Sequence, residues 1–95
     1  MQQFKESAHE IYSKASDRKP TDVMELERRL LLGFGAIIRN LRIARGMTQE
    51  MLSVRAGLSA KYIGEIERGE KNPTFLILFH IASAMKMRVK DIFEI

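Results

Sequence analysis

Residues 48–68, TQEMLSVRAGLSAKYIGEIER, constrain the fold more than any other stretch of this chain. They spell two short helices around one tight turn. Thr48 is a good N-cap, with Gln49 and Glu50 in the first turn behind it. Met51, Leu52 and Ala56 supply the apolar positions of the first helix. Gly57 can adopt the left-handed conformation that ends a helix. Leu58 follows as a buried plug and Ser59 as a second N-cap. Ile63 and Ile66 then recur at helical spacing in the second helix.

The flanking segments extend this pattern in both directions. Residues 3–16 place Phe4, Ala8, Ile11, Tyr12 and Ala15 at helical spacing, which makes a weakly amphipathic helix. Residues 16–22 form a polar linker broken by Pro20, and Thr21 or Asp22 can cap a new helix. Val23, Leu26, Leu30 and Leu31 give that helix one apolar face. It either runs on through Gly33 and Gly35 or kinks there. Ile37, Ile38, Leu41 and Ile43 with Ala44 line a helix ending near Gly46. After the central pair, residues 69–73 form a loop and Thr74 caps a further helix, predicted to bury Leu76, Ile77, Phe79, Ile81 and Ala82. Val89, Ile92 and Phe93 are the apolar positions of a last turn. No segment shows sustained strand alternation. The expectation is an all-α fold: a compact five-helix domain over 33–95, preceded by an N-terminal extension, 1–32, that is helical or partly disordered.

Composition narrows the chemistry. The chain has 95 residues, the size of one small domain. It has no cysteine, which excludes disulfides and thiolate metal sites. Its two histidines, His9 and His80, lie far apart in sequence, so no metal and no cofactor are expected. No nucleophile–base set and no phosphate-cradling glycine loop suggest an enzyme. No apolar run reaches membrane-span length, and the N-terminus lacks the order of a signal peptide, so a cytoplasmic location is expected. The net charge of +4 is unevenly placed. Residues 1–32 hold six Lys/Arg and six Asp/Glu, so the excess lies wholly in 33–95. That segment contains the paired helices, and a basic excess there suits a polyanion as well as ordinary solubility. Two helices joined by a short glycine turn form a helix-turn-helix, whose second helix usually enters the major groove of DNA.

Several short motifs stand in order at matching separations. They are I-R-x-L-R at 38–42, G-x-T-Q-E at 46–50, A-G-L-S at 56–59, I-x-x-I-E-R-G at 63–69 and N-P-T at 72–74. A closing L-x-x-I-A-x-A run ends at Ala84, with Leu78 or Leu76 as its lead residue. Over residues 34–95 the chain resembles the Cro/λ-repressor-like DNA-binding domains. Ser53 stands where the family usually has Ala, and Met47, Met51, Met85 and Met87 replace the more usual Leu, Val or Ala. Residues 1–32 have no counterpart in the minimal domain.

The resemblance implies roles for individual residues. Gln49 would bond a DNA phosphate and brace the reading helix. Ala60, Lys61 and Glu65 would occupy base-reading positions: Lys61 toward guanine, Glu65 toward cytosine N4, Ala60 against a thymine methyl. Glu65 could instead pair with Arg68 or Lys61 on its own helix. Ser59 and Tyr62 offer hydroxyls to phosphate, and Lys71 and Asn72 lie in the loop that follows. Arg39, Arg45 and Arg55 are further phosphate candidates. Arg42 and Glu67 would form a partly buried structural ion pair. The family often dimerises through its C-terminal helix, which makes Met87, Val89, Ile92 and Ile95 candidate interface residues, while Phe93 belongs to the core. The implied protein is a sequence-specific regulator bound to double-stranded DNA as a homodimer, bacterial or phage-encoded, cytoplasmic and associated with the nucleoid. No ligand or protease domain is expected after residue 95, so control is expected from concentration, a partner or the extension. The alternative is an antitoxin-like or scaffold protein whose residues 1–32 bind a partner protein.

Overall fold

The computed structural model describes residues 20–94. The amphipathic segment at 3–16, most of the linker and Ile95 lie outside the described residues. Five helices and no strand occur among those described: α1 Pro20–Ala44, α2 Gln49–Ala56, α3 Ala60–Glu67, α4 Phe75–Ala84 and α5 Val89–Phe93. The all-α architecture inferred from periodicity is therefore what forms.

The helix-forming pattern before Gly33 and the one after Phe34 are one element. α1 runs unbroken for 25 residues and begins at Pro20, a residue suited to a first helical turn. Gly35 lies where α1 crosses the end of α3. A Cβ there would meet Ile66 O at 2.3 Å and Glu67 O at 2.6 Å. Glycine lets the two backbones touch, so α1 is held directly against the end of α3.

The core gathers Phe34, Ile37, Ile38 and Leu41 from α1, Leu52 and Ala56 from α2, Ile63 and Ile66 from α3, Ile81 and Ala82 from α4, and Ile92 from α5. Phe93 is half-buried and stacks on Phe34 with ring centroids 5.8 Å apart. Leu58 is half-buried against the core rather than a sealed plug.

Several apolar residues expected inside, Ala44 among them, are at the surface. Leu76 is 67 % and Phe79 51 % exposed, and Ile43 and Met51 are also exposed. Helical geometry explains the α4 pair. At about 100° per residue, Ile77, Leu78, Ile81, Ala82 and Ala84 share one arc, and Phe75, Leu76 and Phe79 fall on the opposite arc. Ile43 likewise lies off the arc of Ile37, Ile38 and Leu41. Apolar residues here outnumber the core-facing positions, so composition alone overstated burial.

Candidate nucleic-acid interface

The turn between α2 and α3 is built as its residues dictate. Thr48 Oγ1 accepts from the Met51 N–H at 3.0 Å and caps α2. Gly57 has φ +71° and ends the helix, its N–H reaching the carbonyls of Ser53 and Val54. Ser53 Oγ donates back to the Glu50 carbonyl at 2.7 Å, so a hydroxyl is accommodated at that buried position. Ser59 Oγ accepts from the Tyr62 N–H at 3.0 Å and caps α3.

α3 turns Ile63, Gly64, Ile66 and Glu67 inward. Lys61 is exposed beside the exposed cap Ser59, and Ala60, Tyr62 and Glu65 are half-buried. The five sequence-assigned residues of this helix and its cap thus keep accessible surface on the side away from the core. Tyr62 also packs its ring against the core, which ties its position to the fold. Lys71 and Asn72 are exposed in the loop after α3, where Gly69 has φ +76°.

Behind the helix lies a buried polar cluster. Arg42 Nε donates to Glu67 Oε2 at 2.7 Å and Arg42 Nη2 to Glu67 Oε1 at 2.9 Å. The third guanidinium nitrogen, Nη1, donates to the Met47 carbonyl at 2.8 Å. Gln49 Nε2 adds a bond to Glu67 Oε1 at 3.0 Å. One carboxylate on α3 is therefore joined to α1 and to the first residue of α2. Hydrogen bonding to Glu67 raises the Arg42 guanidinium further above its ordinary value, against the opposing effect of burial. No buried side-chain polar atom among the described residues lacks a partner. Satisfying every partner is the condition under which a buried charge pair is tolerated.

Two arginines take roles the sequence did not reveal. Arg45, a phosphate candidate by its charge, has its Nε on the Met85 carbonyl at 3.0 Å and Nη1 on the Leu41 carbonyl at 3.3 Å. It tethers the end of α1 to the end of α4. Arg68 leans back over α3: a Cβ added to Gly64 would meet Arg68 Nη1 at 3.0 Å and Gln49 Oε1 at 3.5 Å. Its Nε pairs with Glu70 Oε2 at 2.7 Å, which raises the guanidinium and lowers the carboxyl from their ordinary values. No i,i+3 or i,i+4 bond from Glu65 to Arg68 or Lys61 forms. Arg39 and Arg55 remain exposed.

The C-terminal interface candidates divide. Ile92 is fully buried in the core of one chain and has no surface to offer a partner. It is removed from the interface set, because it is the one residue of α5 that the core buries completely. Met87 and Val89 are half-buried against that core and keep part of their surface. No helix among the described residues is long and apolar enough to cross a membrane.

Comparison with known proteins agrees with this geometry. A family model described as "Helix-turn-helix" matches residues 38–92. An uncharacterized HTH-type transcriptional regulator of Sinorhizobium fredii, y4dJ, is 39 % identical over 51 residues, covering 54 % of this chain and 66 % of that protein. The crystal structure of the restriction-modification controller protein C.AhdI from Aeromonas hydrophila superposes with a TM-score of 0.65 at 35 % identity, covering 66 % of this chain and 96 % of that one. The clp gene regulator ClgR from Corynebacterium glutamicum superposes with a TM-score of 0.64 at 28 % identity, covering 66 % and 67 % of the two chains. With more than half of its length matched, this chain belongs to the Cro/C1-type helix-turn-helix family.

Proposed function

We infer that this protein is a sequence-specific transcription regulator that binds double-stranded DNA and reads the major groove with α3. The observation that carries the reading is the cluster behind the helix. Arg42, Glu67 and Gln49 fix α3 from its inner side, while Ser59, Ala60, Lys61, Tyr62 and Glu65 keep surface on the other. A rigidly held helix with a polar outer face is what groove reading requires. The names of the similar proteins, a transcriptional regulator, a controller protein and a gene regulator, support the same reading.

Each residue then has a task. Lys61 donates to guanine O6 or N7, Glu65 accepts from cytosine N4, and Ala60 packs on a thymine methyl. Gln49 has one amide hydrogen engaged by Glu67 and a second left for a phosphate. Ser59, Tyr62, Lys71 and Asn72 add phosphate contacts that set register without reading sequence. Two copies on a pseudo-palindrome would place their α3 helices about 34 Å apart. The protein acts where the genome lies, in bacterial or phage-infected cytoplasm, and performs no catalysis.

Selection of bound sites from random duplexes, repeated across a salt series, tests the reading. An enriched half-site is expected; sequence-independent binding at every salt concentration overturns it.

A protein partner at the extension is the second reading, and one observation favours it. Leu30, Leu31 and Leu78 help line a shallow apolar depression of about 300 Å³ that ends at Asn72 and Pro73. Met24, farther out on α1, is 69 % exposed. Amide exchange over residues 1–32 of the isolated chain discriminates. Full protection without a partner argues against an antitoxin-like or scaffold role that orders this segment on binding.

A further inference from the structure

α1 carries a longer apolar face than the core uses. Among the described residues, the core cluster takes Phe34, Ile37, Ile38 and Leu41 from this helix. At about 100° per residue, Val23, Leu26 and Leu30 continue the same arc for about three further turns toward Pro20. Leu26 is only 7 % exposed there. Where the arc meets the core, Leu30, Leu31 and Phe34 join Pro73, Leu78 and Phe93 around the apolar depression of about 300 Å³. A stripe of this length suits a second helix laid along it.

We propose that residues 3–16, which precede the described part of the chain, are that helix. They turn back through residues 16–19 and pack antiparallel along α1, with Phe4 seated in the depression. The proposal goes beyond the DNA-binding reading and does not depend on it.

Three arguments select this occupant. The first is register. In an antiparallel helix pair, the numbers of facing residues have a constant sum. Ala15, Tyr12, Ala8 and Phe4 face Val23, Leu26, Leu30 and Phe34 in turn at a single sum of 38. Four apolar positions of the segment thus meet four of α1 with no shift between them. The second is reach. α1 begins at Pro20, so residues 16–19 are the connection, and antiparallel helix pairs are joined by about two to five residues. Phe4 to Ala15 covers about 17 Å as helix, the same as Val23 to Phe34. The third is size. Ala8 and Ala15 stand opposite the branched Leu30 and Val23, which lets the two helices approach closely, and the bulky Phe4 falls at the depression.

The chain then covers its own apolar stripe. The hairpin ends against Pro73, next to Lys71 and Asn72, and backs the loop that holds these two phosphate candidates. It also fills the depression that the second reading gives to a partner protein.

Disulfide trapping in the full chain tests the proposal, because the chain has no cysteine of its own. Ala8→Cys with Leu30→Cys should form an intrachain disulfide in about tenfold higher yield than Ala8→Cys with Arg28→Cys, whose second position is exposed on the far side of α1. Non-reducing electrophoresis and mass spectrometry read the product. In the isolated wild-type chain, amide exchange over residues 8–15 should be slowed about tenfold or more against an unstructured peptide. Ala8→Asp should remove that protection and leave the protection of α2 and α3 unchanged. Equal yields from the two pairs, no disulfide in either, or unslowed exchange over residues 8–15 overturns the proposal. A disulfide that joins two chains overturns it in favour of a second copy, and protection that arises only with an added protein overturns it in favour of the partner reading. Whether random duplexes yield an enriched half-site is decided separately, so the two readings fail independently.

Discussion

Gln49 Nε2 donates to Glu67 Oε1 at 3.0 Å, on the same carboxylate that Arg42 grips through two nitrogens. The residue assigned to a phosphate contact is thereby locked to the residue that anchors the reading helix. Substituting Gln49 separates the two duties. Gln49→Ala should weaken binding about fivefold on every duplex tested, because roughly 1 kcal/mol of bonding is lost without changing base contacts. Gln49→Glu should be worse, since it sets a second carboxylate beside Glu67 and facing phosphate. Parallel titrations on specific and scrambled duplexes check both.

Breaking the ion pair from one side should be costly. Arg42→Ala leaves the Glu67 carboxylate buried without its bidentate partner, for a loss of about 3–5 kcal/mol and a fall in Tm of more than about 12 °C. The double change Arg42→Met with Glu67→Leu should cost less than either single removal, because no charge is stranded. Thermal unfolding of the three variants decides it.

Gly35 and Gly46 separate space from backbone strain. Gly35→Ala drives a Cβ into the Ile66 and Glu67 carbonyls and should cost about 3 kcal/mol or more. Gly46 has φ +67° with open space around it, so Gly46→Ala should cost only the left-handed backbone penalty of about 1–2 kcal/mol. Urea denaturation measures the ranking.

Arg45 offers a clean test of tether against phosphate contact. Arg45→Ala should lower stability by about 1–2 kcal/mol through the lost bonds to Met85 and Leu41. The salt dependence of DNA binding should not change, whereas loss of one phosphate contact would reduce the log–log slope by about 0.9.

Asp91 predicts a pH effect at the chain end. Its carboxyl accepts from the Arg88 guanidinium and from the Arg88 N–H at 3.0 Å, which hold it below the ordinary aspartate value. A depressed carboxyl contributes stability above its unfolded value and loses it as pH falls through the lower folded one. α5 should therefore stay capped through the ordinary aspartate range and fray below it. A carboxyl NMR titration of Asp91 should give a midpoint below that range, and Arg88→Ala should move it upward.

The sequence made the local elements legible because their signals are local. Thr48, Ser59 and Thr74 cap the helices they precede, and Gly57 ends the helix before it. Distance along the chain hid the rest. Nothing near Arg45 announces a carbonyl forty residues away, and nothing near Gly35 announces the backbone of Ile66. Leu76 and Phe79 misled in another way. Apolar character marks a residue for burial but does not say whether its own chain or another covers it.

The unbroken course of α1 has a mechanical consequence. Leu32 lies against Gly69 at the exit of α3, where a Cβ would come within 2.9 Å of Leu32 Cα, and Gly35 bears on Ile66 and Glu67. About twelve residues of helix continue beyond that fulcrum toward Pro20, with Leu26 buried among them. A load applied to the outer arm of this lever reaches the base of the reading helix with no flexible joint in between.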